Sequence, residues 1–200
     1  MDDVSKINYS DYTNIHLTGI LPALSPSCLE AVEYMIEQAR SAGLLISFDP
    51  NLRPQLWPNN EVMIRTINDL ASKCDIVLPG ALEGKVLTGI DDPQKINAFY
   101  LKNGAKVSIT KCGAKGAYVS TENERYAVPA FKVKVVDTVG AGDGFAAGVI
   151  TALMEGKTLR EAVVRGNAIG AIQVTFRGDN EGLPYPDGLK AFIQAQGAIA

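Results

Sequence analysis

Two carboxylates bracket a glycine-rich turn in Asp137-Thr138-Val139-Gly140-Ala141-Gly142-Asp143. A strand-like run, 131–136, precedes the turn, and a helix-like run, 144–154, follows it. Glycines let a backbone turn sharply and come close to a ligand. The first turn of a helix presents unpaired N–H groups and the positive end of the helix dipole. Together these features make an anion site, with phosphate the usual anion. A carboxylate beside a bound phosphoryl group repels it, so Asp143 is unsuited to binding phosphate. It is suited to taking a proton from an attacking hydroxyl. The competing interpretation is an Asp that caps the helix after a glycine turn.

Other stretches carry chemistry of their own. Asp49-Pro50-Asn51-Leu52-Arg53 follows the apolar run 44–48. It is either an Asp-Pro turn with a solvated arginine or a clamp, since a guanidinium grips a carboxylate with two bonds. Arg165-Gly166-Asn167-Ala168-Ile169-Gly170 lies within a helical pattern. Two glycines inside a helix cost about 1 kcal/mol each relative to alanine, so close packing or ligand approach should offset them.

These residues need a scaffold, and the pattern supplies one. Ser25 caps a helix that starts at Pro26 and stops at Gly43. Strand-like runs at 14–21, 44–48, 75–78 and 105–110 alternate with helices at 62–73, 82–87 and 93–101. That alternation predicts a parallel sheet with helices on both faces, in which ligands bind beyond the C-terminal strand ends. Two strands, 116–120 and 125–128, form a hairpin around a polar turn. A helix follows from 159 to about 175, started by a Thr158/Glu161 capping box, and a short one covers 189–194. No repeat or linker divides the chain, so residues 1–200 read as one domain.

Composition excludes several function classes. The 200 residues are 46% hydrophobic, enough for a core, and the net charge of −3 calls for neither nucleic acid nor an anionic membrane. The acidic start, Met1-Asp2-Asp3, lacks a signal peptide's basic-then-apolar pattern. Cys28, Cys74 and Cys112 are odd in number and widely spaced, which points to reduced thiols and the cytoplasm. His16 is the single histidine, too few for a multi-histidine metal site.

The 137–143 turn also matches, residue for residue, the D-T-x-G-A-G-D signature of the ribokinase-like (PfkB) carbohydrate kinases. Asp49–Arg53, with Leu56-Trp57 after it, resembles the D-P-N-x-R-x-x-L-W loop of the 2-keto-3-deoxygluconate kinases and related fructokinases. The resemblance covers nearly the whole chain. It implies an α/β, three-layer αβα parallel-sheet fold, truncated at the N-terminus so that the family's N-terminal third and its small β lid are absent. It implies an ATP- and magnesium-dependent sugar or sugar-acid kinase, with Asp143 as general base and the Gly140, Ala141 and Gly142 amides as the phosphoryl hole. Arg53 and Asn51 would face the sugar acid. Lys111, Gly113 and Gly116, in a loop resembling K-x-G-x-x-G, would bind the nucleotide together with Asn167 and Gly170. Glu83 matches the Glu of the family's N-x-x-E motif and would act on magnesium through water, although Gly80 stands where the Asn belongs. Asp137 would help to hold a monovalent cation such as K+, beside carbonyls of the 177–184 loop. A homo-oligomer or a complementing N-terminal part would be the protein partner. Fructokinase or ribokinase specificity is the alternative substrate reading. A catalytically silent nucleotide-binding or assembly protein is the alternative to an enzyme.

Overall fold

The computed structural model describes residues 3–197, which form two compact units. The first runs to Thr110 and takes in Tyr118–Tyr126; the second holds Lys111–Ala117 and the chain from Ala127 onward.

The first unit follows the predicted alternation. Its elements are β1 (Asn14–Thr18), α1 (Leu21–Leu24), α2 (Pro26–Ser41), β2 (Leu45–Asp49), α3 (Asn60–Ser72), β3 (Ile76–Val77), α4 (Ala81–Thr88), α5 (Pro93–Lys102) and β4 (Val107–Lys111). Capping side chains start the helices where the sequence places them. Ser25 accepts the Cys28 amide at 3.2 Å, and Asp92 accepts the Lys95 amide at 2.9 Å. Strands β1 to β4 pair in parallel and in sequence order, with Ile15 beside Ile46, Phe48 beside Val77, and Val77 beside Ser108. The core of this unit joins Val32 and Ile36 of α2, Ile46 and Phe48 of β2, Ile67 and Leu70 of α3, Val77, and Ile96 of α5.

Two further strands, β5 (Ala117–Thr121) and β6 (Arg125–Val128), complete a six-stranded sheet in the order β1-β2-β3-β4-β5-β6. The loops joining β4, β5 and β6 are too short for parallel crossovers, so these strands turn back as an antiparallel extension, as the hairpin pattern predicts. Asn97 of α5 ties this corner together while 0% exposed. Its carboxamide oxygen accepts from Ser108 and Thr110, and its nitrogen donates to the Tyr118 carbonyl and the Ser120 hydroxyl.

Asp75, just before β3, is 4% exposed. It accepts the Ile46 amide at 2.9 Å and pairs with Lys106 at 2.9 Å and Arg40 at 3.2 Å. Burial pushes its carboxyl up, but Lys106, the Ile46 amide and Arg40 together hold it below the usual carboxylate range. The folded state therefore favours the ionised form. The resulting stability is fully present above the unfolded value of about 3.9 and is lost as pH falls through the lower folded value. Asp75→Asn should lower the unfolding free energy by about 1–3 kcal/mol at neutral pH, read from urea denaturation. The gap between the two proteins should close as pH falls from about 4 towards 2. A gap that stays constant with pH would contradict this account of Asp75.

The second unit carries α6 (Ala141–Met154), α7 (Leu159–Gln173) and α8 (Pro186–Ala195). Thr158 and Glu161 form the expected capping box, with the Thr158 amide donating to Glu161 at 2.8 Å. Gly148 and Gly166 bring α6 and α7 into close contact, because a Cβ on Gly148 would meet the Gly166 backbone at 2.8 Å. The strand expected at 131–136 does not form: this run joins no ladder, and the Val136 amide donates to the Val174 carbonyl at the end of α7. Among the described residues no helix is long and apolar enough to cross a membrane.

Candidate active site

The glycine turn sits where strain and proximity both demand glycine. Gly140 has φ +74° and immediately precedes α6; a Cβ there would strike the backbone carbonyl of Asp179. The first helical bond runs from the Gly144 amide to the Gly140 carbonyl at 2.8 Å. Ala141, Gly142 and Asp143 therefore form the first turn, whose amides have no acceptor within the helix. Helix α6 begins three residues earlier than the sequence pattern suggests, and this puts Asp143 inside its first turn. Asp143 is exposed, and among the described residues its carboxylate makes no hydrogen bond or ion pair. The cap position belongs to Gly140, so the alternative of a capping Asp143 is not what the structure contains.

Ala141 and Gly142 border a cavity of about 460 Å³. Lys111 lines it from the end of β4, Gly113 and Gly116 from the loop that follows, Phe131, Val133 and Val135 from the extended run, and Asn167 and Gly170 from α7. Every residue expected to bind a nucleotide is thus brought to one cavity of the second unit. The Lys111 ammonium reaches α6, lying 3.5 Å from the place a Cβ of Gly142 would take. Gly116, at φ +90°, presses on the Val128 carbonyl and the Ala130 amide, whereas Gly113 faces open space. Asn167 donates to the Val128 and Pro129 carbonyls at 3.1 Å each, so its carboxamide holds the chain that forms the opposite cavity wall. A larger cavity, about 730 Å³, lies among α6, α7 and α8 but is lined by none of the expected site residues.

Asp137 accepts the Val139 amide at 3.2 Å and the Gly178 amide at 3.3 Å. These bonds, Gly178's first, hold its carboxyl below the usual range. A residue with no sequence signal shares this junction: Gln173 donates to the Gly178 and Val139 carbonyls.

The first unit holds the remaining candidates, beyond the C-terminal ends of β2 and β3 as the fold class predicts. The Gly19 amide donates to the Asp49 carbonyl, and a Cβ on Gly19 would strike the Pro50 carbonyl. Asn51 has φ +37°, the one non-glycine residue with positive φ among those described. Its amide is held by the Asp49 carboxylate at 3.2 Å. Arg53 donates through Nη1 to the Asn51 side chain at 2.7 Å and to the Leu52 carbonyl at 2.9 Å. Among the described residues no carboxylate pairs with it. Glu83, in the first turn of α4, accepts the Leu52 amide at 2.8 Å and the Gly80 amide at 2.7 Å. It therefore couples that helix start to the arginine loop, a role the sequence does not reveal.

The sequence pattern described as pfkB family carbohydrate kinase matches residues 2–186. A 2-dehydro-3-deoxygluconokinase of Bacillus subtilis (strain 168) is 46% identical over 187 residues, which are 93% of this chain and 58% of that protein. The crystal structure of a PfkB protein from Polaromonas sp. JS666 is 43% identical, with a TM-score of 0.84 over 94% of this chain and 61% of its own. A putative ribokinase II from E. coli, solved in complex with ATP and Mg2+, is 29% identical with a TM-score of 0.85, over 96% of this chain and 63% of its own. The chain thus spans about three-fifths of the length of these relatives. The α/β, ribokinase-like fold expected from the sequence is the fold observed.

Proposed function

From the premise that this chain belongs to the pfkB family of carbohydrate kinases, we propose that it serves ATP-dependent phosphorylation of a sugar acid, at the primary hydroxyl of 2-keto-3-deoxygluconate or a close relative. One observation carries the phosphoryl-transfer part of the proposal: the glycine turn at the start of α6 opens on a cavity whose walls are a lysine, glycine loops and apolar side chains. A polar, cationic mouth suits phosphates, and an apolar slot suits a purine.

In this scheme adenine lies between Gly170 and Asn167 on one side and Phe131–Val135 on the other. Lys111 and the Gly113–Gly116 loop hold the phosphates. The amides of Ala141, Gly142 and Asp143 bind the transferred phosphoryl group, where fixed donors lower the barrier without reorganising. Asp143 takes the proton from the sugar hydroxyl as it attacks in line. Magnesium, bound with ATP, neutralises phosphate charge. Glu83 keeps acceptor capacity for its water shell, because a carboxylate has about four acceptor sites and two here hold amides. Asp137 likewise retains lone pairs for a monovalent cation such as potassium. The three widely spaced cysteines, Cys28, Cys74 and Cys112, suit the reducing cytoplasm. Burial pushes the Cys74 thiol up to about 12, so it is unreactive there.

The sugar-acid assignment rests on Arg53, oriented by Asn51 and without an acidic partner among the described residues. Arg53→Ala should weaken binding of 2-keto-3-deoxygluconate by about tenfold or more, the scale of one charge-assisted hydrogen bond, and leave fructose within about twofold. Calorimetry with both sugars measures this. Equal losses for the two would remove the carboxylate clamp and favour a neutral ketose as substrate.

A further inference from the structure

Gln173 is the last residue of α7 and is 0% exposed. A carboxamide cut off from water costs free energy unless its polar atoms are paired. Nε2 donates to the Gly178 carbonyl at 2.8 Å and to the Val139 carbonyl at 3.4 Å, while Oε1 accepts the Gly182 amide at 3.0 Å. Carbonyls on one side and an N–H on the other fix which way the carboxamide faces.

The Asp137 carboxylate grips the same two residues from their other ends, accepting the amides of Val139 and Gly178. Residues Val139 and Gly178 are therefore tied at N–H by a carboxylate and at C=O by a carboxamide. Gly140 then rests on the Asp179 carbonyl with no room for a Cβ. Its left-handed conformation sets the direction in which the first amides of α6 point. Anchoring the turn to α7 does not by itself call for Gln173, since the Val174 carbonyl already accepts the Val136 and Asp137 amides. Filling the space would be served as well by an apolar side chain of the same volume.

We propose that Gln173 is a positioning residue for the phosphoryl-binding turn. Its carboxamide locks residues 137–140 against 178–182 and so keeps the Ala141, Gly142 and Asp143 amides aimed at the phosphoryl group. The proposal rests on the assignment of that turn as the phosphoryl site. Preorganised donors act only when they are held in place, so releasing the lock should reduce phosphate binding and leave the adenine slot intact.

Calorimetry on the full chain with ATP and with adenosine separates the two contributions. The unmodified chain should bind ATP at least about tenfold more tightly than adenosine, since each amide–phosphate bond is charge-assisted. Gln173→Met, of similar volume but without the polar atoms, should lose most of that ratio and keep adenosine affinity within about twofold. A variant that keeps the ratio overturns the proposal and leaves the phosphoryl-site assignment standing. An unmodified chain that binds ATP no better than adenosine overturns both. Should Gln173→Met lose its native circular dichroism, Gln173→Glu is read in the same way, since it keeps the Gly182 acceptor and lacks the donor. Hydrogen exchange decides without any substitution. ATP, and not adenosine, should slow exchange of the Gly182 amide, and an unchanged rate would overturn the proposal.

Discussion

Asp143→Asn is expected to slow phosphoryl transfer by about 10²–10⁴-fold, the usual worth of a positioned general base. Asn keeps the shape of the side chain and cannot take the proton. ATP affinity should hold or improve, because a negative charge beside the phosphoryl site is gone. Stability should change by no more than about 1 kcal/mol, since the carboxylate makes no hydrogen bond among the described residues and only its interaction with the helix dipole is lost. This combination distinguishes a base from a structural carboxylate, which would lose stability and leave turnover alone. Single-turnover transfer, compared with urea denaturation of the same two proteins, reads both quantities. A rate loss under about tenfold would remove Asp143 from the chemistry.

Gly140→Ala should be the most damaging conservative change in the turn. A side chain in the left-handed region costs about 1–2 kcal/mol before any contact is considered. Here the new Cβ would also meet the Asp179 carbonyl, a backbone atom that cannot swing aside. A total loss of about 2–4 kcal/mol is expected, together with loss of ATP's advantage over adenosine. Gly113→Ala is the control. It too lies at positive φ, +54°, but faces open space, so it should cost only the conformational part. Equal destabilisation by the two substitutions, measured by thermal and urea unfolding, would mean that close approach to Asp179 contributes nothing.

Most of the scaffold is legible in the sequence because the signals are local. Ser25-Pro26 and Thr158 with Glu161 announce helix starts through backbone amides that need an acceptor, and both helices begin there. Continuous apolar runs mark the parallel strands, although β3 shortens to Ile76–Val77. The run at 131–136 has the composition of a strand, but its pairing depends on which backbone lies alongside, and that backbone is the end of α7. The start of α6 is hidden because glycine lowers helix propensity; the first turn of that helix is held by the turn before it. Asp143, Lys111 and Arg53 are visible through residue type and loop position. Gln173 and Asn97 are not. A polar side chain in a helix reads as solvent-facing, and only the tertiary contacts show that both are buried and almost fully hydrogen-bonded. Glu83 is visible as a carboxylate, but its hold on the Leu52 amide joins residues 31 positions apart in sequence.

The central claim is transfer of the terminal phosphoryl group of ATP to a sugar acid at the turn that ends in Asp143. Its most direct test is incubation of this chain with γ-labelled ATP, magnesium and 2-keto-3-deoxygluconate, with fructose and ribose in parallel, and isolation of the labelled sugar. The expected result is label on the primary hydroxyl of the sugar acid, faster than on either neutral sugar, and absent with Asp143→Asn. ATP binding without label on any of the three sugars would contradict the claim and identify the chain as a nucleotide-binding protein without turnover.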